Sequence, residues 1–347
     1  MTTNGYPPER RKRSERQLIH PPRASDRITF PPDFGTRFSV YIYTQDVFDW
    51  REKSSGGADA VRYIPEFQRL AEAHGVIPTY LLNYQMAMSG ATRDILAPIA
   101  EAGRCVIGAQ LHPWNTPPFD ESENPPQSYA GNLSADLEHA KIETLTQVLT
   151  TQFGVRPTIY RAGRYGVGAG TARILTKLGY RMDVSVRPRF DYRDDGGPNF
   201  LGHDAHPFWA GPDAMLIEMP VGATFTGHLR RFGRYLYPRI IEFPKVAGGL
   251  ARSGALSRVA LTSEDMPALD VKAAVQTLGA DGIACLNFTL HSTSLAPGHS
   301  PYVRDSADLN ALYRWWEEMF TFLAQANIKP IATDAAIAAA WAMRPND

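Results

Sequence analysis

Several apolar, strand-like runs of this chain end in reactive side chains. Residues 38–44 lead into Gln45, Asp46, Asp49 and Trp50; 105–111 into His112, Trp114 and Thr116; 158–160 into Arg161, Arg164 and Tyr165. Residues 181–186 lead into Arg187, Arg189, Asp191 and Tyr192, and 283–290 into His291, Ser292 and Ser294, with His299 a short loop further on. Two histidines, several carboxylates and paired arginines can hold a metal-activated water, polarise a carbonyl and return a proton to a leaving amine or alcohol. Trp50, Trp114, Tyr165 and Tyr192 add flat apolar faces of the kind on which sugar rings stack. No Gly-x-Ser-x-Gly elbow is present, and Cys105 and Cys285 lie inside apolar runs, so a serine or cysteine nucleophile is disfavoured.

Positioning these groups requires a framework that gathers strand ends. The run at 105–111 meets His112 and then Pro113, and Pro113, Pro117 and Pro118 stiffen the loop beyond it so that the strand cannot continue. The surrounding chain alternates strand and helix patterns. Strands are predicted at 38–44, 77–83, 105–111, 158–160, 181–186, 215–219, 283–290 and 329–332. Between them, helices are predicted at 58–74, 92–102, 135–153 (capped by Ser134 and closed by Gly154), 171–178, 269–278, 307–325 and 335–343. About seven or eight strands, nearly each followed by a helix, predict an α/β fold with a parallel sheet curled into a distorted (β/α) barrel, whose active groups gather at the carboxyl ends of the strands. A doubly wound open sheet is the alternative, disfavoured because no glycine-rich phosphate loop follows the first strand. Residues 35–347 are expected to form this single domain, with a basic, aromatic and glycine-rich helical excursion over the rim at about 227–258. Residues 1–34, polar, proline-rich and locally basic, are expected to form a disordered tail.

The 36 basic residues balance 36 acidic ones, which disfavours a general nucleic-acid or anionic-membrane binder. With two cysteines, both in apolar runs, buried thiols are expected rather than a disulfide. No apolar run approaches the roughly 20 residues of a membrane span, and the N-terminus lacks a signal-peptide core, so a cytoplasmic location is expected.

Four blocks, 107–119 (IGAQLHPWNTPPF), 160–168 (YRAGRYGVG), 183–192 (DVSVRPRFDY) and 288–305 (FTLHSTSLAPGHSPYVRD), resemble the NodB-type polysaccharide deacetylases (carbohydrate esterase 4-like), and within them a bacterial subgroup associated with cell-surface polysaccharide. The resemblance spans about residues 38–334. It implies a distorted barrel and metal-dependent hydrolysis of an N-acetyl group on a sugar. His112 matches the first histidine of the family's metal motif, but the second falls on Thr116, a poor zinc ligand. Arg161 matches the arginine that orients the catalytic carboxylate, and His291 the general acid toward the leaving amine. Tyr43 and Gln45 fall where the family has its catalytic and metal-binding carboxylates. Asp46 or Asp49 could substitute, although neighbouring positions on an extended chain point oppositely. Weak or absent metal binding is therefore expected.

Two functions from different classes follow. In the first, the chain is a hydrolase acting on an acetylated surface saccharide or its lipid-linked precursor. Asp46 takes a proton from water, His112 with Asp46 or Asp49 holds any zinc, His291 protonates the leaving group, and Arg161 or Arg164 orients the carboxylate. Trp50, Trp114, Tyr165, Tyr192 and His299 line the sugar groove. In the second, a degenerate deacetylase keeps that groove as a saccharide-binding or regulatory protein. A glycosidase using carboxylates such as Asp191 and Glu218 is a third possibility, decided by their separation.

Overall fold

The computed structural model describes residues 15–344 apart from 47, 50–53, 56–58 and 123, and of 48, 49, 54 and 55 only the backbone. The strands are β1 Arg37–Thr44, β2 Phe48–Asp49, β3 Ser54–Ser55, β4 Thr79–Leu82, β5 Val106–Leu111, β6 Ile159–Ala162, β7 Met182–Asp183, β8 Phe208–Ala210, β9 Leu216–Glu218, β10 Ala223–Thr226, β11 Ser257–Ala260, β12 Cys285–His291 and β13 Lys329–Pro330. The helices are α1 Ile64–Ala73, α2 Tyr84–Met88, α3 Gly90–Glu101, α4 Ala135–Phe153, α5 Thr171–Lys177, α6 Gly233–Ile240, α7 Pro244–Arg252, α8 Ala268–Ala280, α9 Ser306–Gln325 and α10 Thr333–Ala342.

The main sheet runs β12-β1-β4-β5-β6-β7-β9-β8, with β13 added beside β1, and every pairing is parallel except β8 with β9. It curls into the distorted barrel that the strand–helix alternation predicts. Between β9 and β12 the ladder is replaced by isolated hydrogen bonds. Gly222 N donates to Asn287 O (2.9 Å), Leu261 N to Gly222 O (2.8 Å) and Thr289 N to Leu261 O (3.0 Å), while Asn287 Nδ2 reaches Pro220 O (2.7 Å). Along each strand, alternate side chains enter different layers. Tyr41, Leu81, Ile159, Met182 and Ile217 form an inner cluster, stoppered at the amino ends of the strands by Ala336, Ile337 and Ala340 of α10. Val40, Ile42, Tyr80 and Leu290 face outward, into a second core with Phe67, Leu145, Trp316 and Met319 of the surrounding helices.

One region differs from the sequence reading. Residues 15–34 are packed on the barrel rather than free: Leu18, Ile28 and Phe30 are buried, and Ile28 N donates to Pro207 O (2.8 Å). Three apolar anchors separated by prolines and charges are enough to dock a segment whose average composition is polar. Residues 1–14, including most of the basic run, lie outside the described residues. The rim excursion is a β10–β11 antiparallel ribbon carrying α6 and α7. Both thiols, Cys105 and Cys285, are buried and free, and burial pushes each up to about 12.

Candidate active site

The last inward-facing residues of neighbouring strands form the floor of the site. Register sets Tyr43 beside His291 and Gln110 beside Arg161. The Tyr43 ring packs edge-on against the His291 imidazole at 5.1 Å, and the Arg161 guanidinium lies over the same phenol ring at 3.8 Å and over Tyr165 at 4.6 Å. Burial opposes the charge of Arg161, but the two phenols beside it outweigh burial and hold its pKa above the ordinary value. Burial drives the Tyr43 phenol far upward, so it remains an O–H donor, and its oxygen has no hydrogen-bond partner among the described residues. Tyr165 shows the opposite balance: the guanidinium groups of Arg187 and Arg161 overcome its burial and hold it below the ordinary value.

His291 is held by a buried carboxylate. Its Nδ1 lies 2.7 Å from Glu264 Oε2, and Glu264 Oε1 accepts from His291 N (3.1 Å) and Ser294 Oγ (2.6 Å). Burial alone would raise Glu264, but the imidazole and these donors hold it below the usual carboxylate range. An ionised carboxylate at Nδ1 fixes the ring's tautomer and leaves Nε2 as its working nitrogen. Glu264 was not among the residues singled out from the sequence. It follows a strand-like stretch at 260–262 that is too short to show a period, and its signal is only the recurring pattern of apolar residues running into Thr-Ser-Glu-Asp.

His112 ends β5 on a loop held from outside by α4. The buried ammonium of Lys141 donates to the carbonyls of Pro113 (3.0 Å) and Thr116 (2.6 Å) and pairs with Glu121 at 2.9 Å. Gly163 leaves room for the ring: a Cβ there would come within 2.3 Å of His112 Cδ2. Around His112 the partners are amides. Gln110 Nε2 sits 2.9 Å from His112 Nε2 and 2.8 Å from Gln45 Oε1, while Asn83 Nδ2 sits 3.4 Å from His112 Nδ1 and 2.6 Å from Asp46 Oδ1. Burial first, then the charges of Arg161 and His291, hold the His112 pKa well below its ordinary value. Gln45 N in turn lies 3.3 Å from Ser292 Oγ, so a short polar chain connects the His112 end of the site to the His291 end.

The site brings together Asp46, His112, Arg161 and His291, with Trp114 stacked on His112 at 4.4 Å and Tyr165 on Tyr192 at 5.5 Å. Other candidates fall elsewhere. Arg164 reaches along the rim to Ser128 Oγ and Asp195 instead of the floor, and Trp50 and the Asp49 side chain lie outside the described residues. His299 is on the loop after Leu295, its N–H on Ala296 O. The two carboxylates of the glycosidase reading are not a facing pair: Asp191 is bound to Arg193 at the surface, whereas Glu218 is fully buried beside Asp183 across the β7–β9 register. That burial and the Asp183 charge raise Glu218 far above the usual range.

A catalytic zinc usually takes three protein ligands. Here the amides of Gln110 and Asn83 flank both nitrogens of His112, Gln45 and Thr116 stand where further ligands would be needed, and Thr116 Oγ1 is engaged with Asn115 Oδ1 (3.3 Å). Among the described residues no group of three or more His, Cys, Asp or Glu could hold a metal. The donor set among the described residues does not fit zinc.

No family model and no curated protein sequence matches the chain. Its fold resembles that of a Mycobacterium smegmatis protein named as a polysaccharide deacetylase (TM-score 0.54, 17% identity, covering 94% of this chain and 96% of that one). Less similar are a protein from Pseudomonas aeruginosa PAO1 also named as a polysaccharide deacetylase (TM-score 0.49, 13% identity, 90% and 93% covered) and Puue allantoinase (TM-score 0.49, 15% identity, 91% and 94% covered). The first likeness defines the architecture: a NodB-like distorted barrel, shared with polysaccharide deacetylases at low sequence identity. No helix among the described residues is long and apolar enough to cross a membrane.

Proposed function

We propose that this protein is a saccharide-directed hydrolase that removes an acetyl group from an N- or O-acetylated saccharide, with His291 rather than a metal handling the proton. The observation that carries the reading is the His291–Glu264 contact at 2.7 Å, on a carboxylate held ionised inside the barrel wall. In this reading Nε2 of His291 takes a proton from water as the water oxygen bonds to the acetyl carbon. The Tyr43 O–H and the Arg161 charge face the oxyanion that forms. As the intermediate collapses, the bond from carbon to the sugar nitrogen or oxygen breaks and Nε2 returns its proton to that atom, giving acetate and a free amine or hydroxyl. Tyr43 then has a role of its own at the position where the family resemblance places a carboxylate base. Trp114 and the Tyr165–Tyr192 stack supply the sugar-facing surfaces.

A second reading, a saccharide-binding protein without turnover, is favoured by the amide lattice of Gln45, Gln110, Asn83 and Asn115, which occupies the ground where the family binds its metal. Acetate release from N- and O-acetylated oligosaccharides, measured with and without a chelator, separates the two. The hydrolase reading expects release that survives chelation, falls about 10³-fold or more in His291→Ala, and falls by a smaller factor in Glu264→Gln. Oligosaccharide binding with no release leaves the second reading. Release abolished by the chelator refutes the metal-free step.

A further inference from the structure

The rim excursion has a face that the barrel does not use. On one side it is firmly seated: Phe225 and Tyr237 pack at 5.3 Å, Arg258 lies over the Tyr237 ring at 4.7 Å, and Arg230 pairs with Asp281 at 2.8 Å. A Cβ on Gly233 would meet the Phe225 ring at 2.4 Å, so α6 starts in close contact with the ribbon beneath it. On the other side, large apolar side chains stand in solvent: Phe232 is 59% exposed, Tyr235 52%, Leu236 37%, Ile241 43%, Phe243 60% and Val246 50%. Neither α6 nor α7 buries a large apolar residue. Solitary exposed apolar residues are ordinary, but six within fifteen positions form a patch.

The charge of the same segment identifies its partner. Between positions 231 and 252 stand Arg231, Arg234, Arg239, Lys245 and Arg252 against the lone acid Glu242, in a chain whose formal net charge is +0; Arg230 is taken up by Asp281. At 100° per residue along α7, Val246, Ala247 and Leu250 share one side, while Lys245 and Arg252 share the opposite one. Apolar side chains accompanied by cations on short helices, 8 and 9 residues long here, suit the boundary between lipid headgroups and acyl chains. An acidic protein partner would satisfy the cations but leave the phenylalanines wet, and a second copy of this chain would set cation against cation. We propose that the 229–252 hairpin docks the protein peripherally on an anionic lipid bilayer, the aromatic and aliphatic side chains entering the interface and the basic residues pairing with lipid phosphates. Docking of this kind is independent of the chemistry at the barrel mouth.

The test is flotation of the full chain with vesicles of phosphatidylcholine alone or with about one-third phosphatidylglycerol. Binding is expected to the mixed vesicles, at least tenfold weaker to phosphatidylcholine alone, and to weaken in high salt. Phe232→Ser with Phe243→Ser is expected to lose binding at least tenfold with unchanged circular dichroism and Tm. Arg231→Gln with Arg234→Gln and Lys245→Gln is expected to lose the preference for phosphatidylglycerol. Both variants keep the basic residues at 10–13, so that run cannot account for their loss. No binding to mixed vesicles, or binding undiminished in the serine variant, overturns the proposal. So does a wild-type dimer that the serine variant dissolves without any vesicle binding in either protein.

Discussion

Glu138 gives the sharpest quantitative test of how this barrel is held together. Its carboxyl is 3% exposed between α4 and the outer face of the sheet, accepts a hydrogen bond from Thr171 Oγ1 at 2.5 Å, and feels the charge of Asp183. Burial is the main cause of its rise to about 7, reinforced by Asp183 and opposed by Thr171. Because this is an acid whose folded pKa lies above the unfolded one, the native state keeps a proton that the unfolded chain releases between about pH 4.5 and 7. Stability from this group is therefore lost as pH rises through that window and is constant on either side. A shift of this size, at about 1.4 kcal/mol per unit, corresponds to about 3 kcal/mol. Glu138→Gln cannot ionise and keeps an oxygen for Thr171. It should match the wild type near pH 4 and exceed it by up to about 3 kcal/mol at pH 8. For a chain of this size that is a rise in Tm of roughly 4 °C. Urea unfolding of both proteins from pH 4 to 8 measures the difference directly. A difference that stays flat across the window, or that favours the wild type as pH rises, would refute the account of a proton retained by burial.

Two further substitutions probe the support of His112. Lys141→Met leaves the Pro113 and Thr116 carbonyls and the Glu121 carboxylate without their cation, and should cost about 3–5 kcal/mol in urea unfolding, part of it recovered by adding Glu121→Gln. Gly163→Ala places a methyl group against His112 and within 2.7 Å of Leu111 O; it should cost about 1–3 kcal/mol and move the His112 ring resonances, whereas Gly90→Ala, which meets nothing within 4 Å, should be neutral or slightly stabilising.

The strand–helix alternation was legible because each long element carries its period and its stop. The stretch of α4 from the Ser134 cap to Gly154, which takes φ +71°, was readable to the residue. What the sequence hid were elements too short to have a period. β8, three residues long, runs antiparallel before β9, and the chain leaving β11 at 261–262 makes only an isolated bridge to β12 before Glu264, which therefore went unnoticed. Strand-end logic did bring His112, Arg161 and His291 to one floor, since register in a parallel sheet aligns carboxyl ends. It could not reveal partners. That Arg161 lies between two phenols, and that Asp46 accepts from Asn83 and Asn115, depends on side-chain directions fixed only in three dimensions. Composition misled at residues 15–34, where a few apolar anchors outweigh a polar average.

The seam between β9 and β12 is the place where the barrel wall is held least continuously. From β12 through β1, β4 and β5 to β6, neighbouring strands are zipped by continuous ladders, and prising two of them apart would break a whole row of bonds at once. At Gly222, Leu261 and Asn287 the wall is held by separate stitches. Parting the wall along that line, next to the strand that carries His291, would break fewer backbone hydrogen bonds than parting it between β4, β5 and β6, which carry His112 and Arg161.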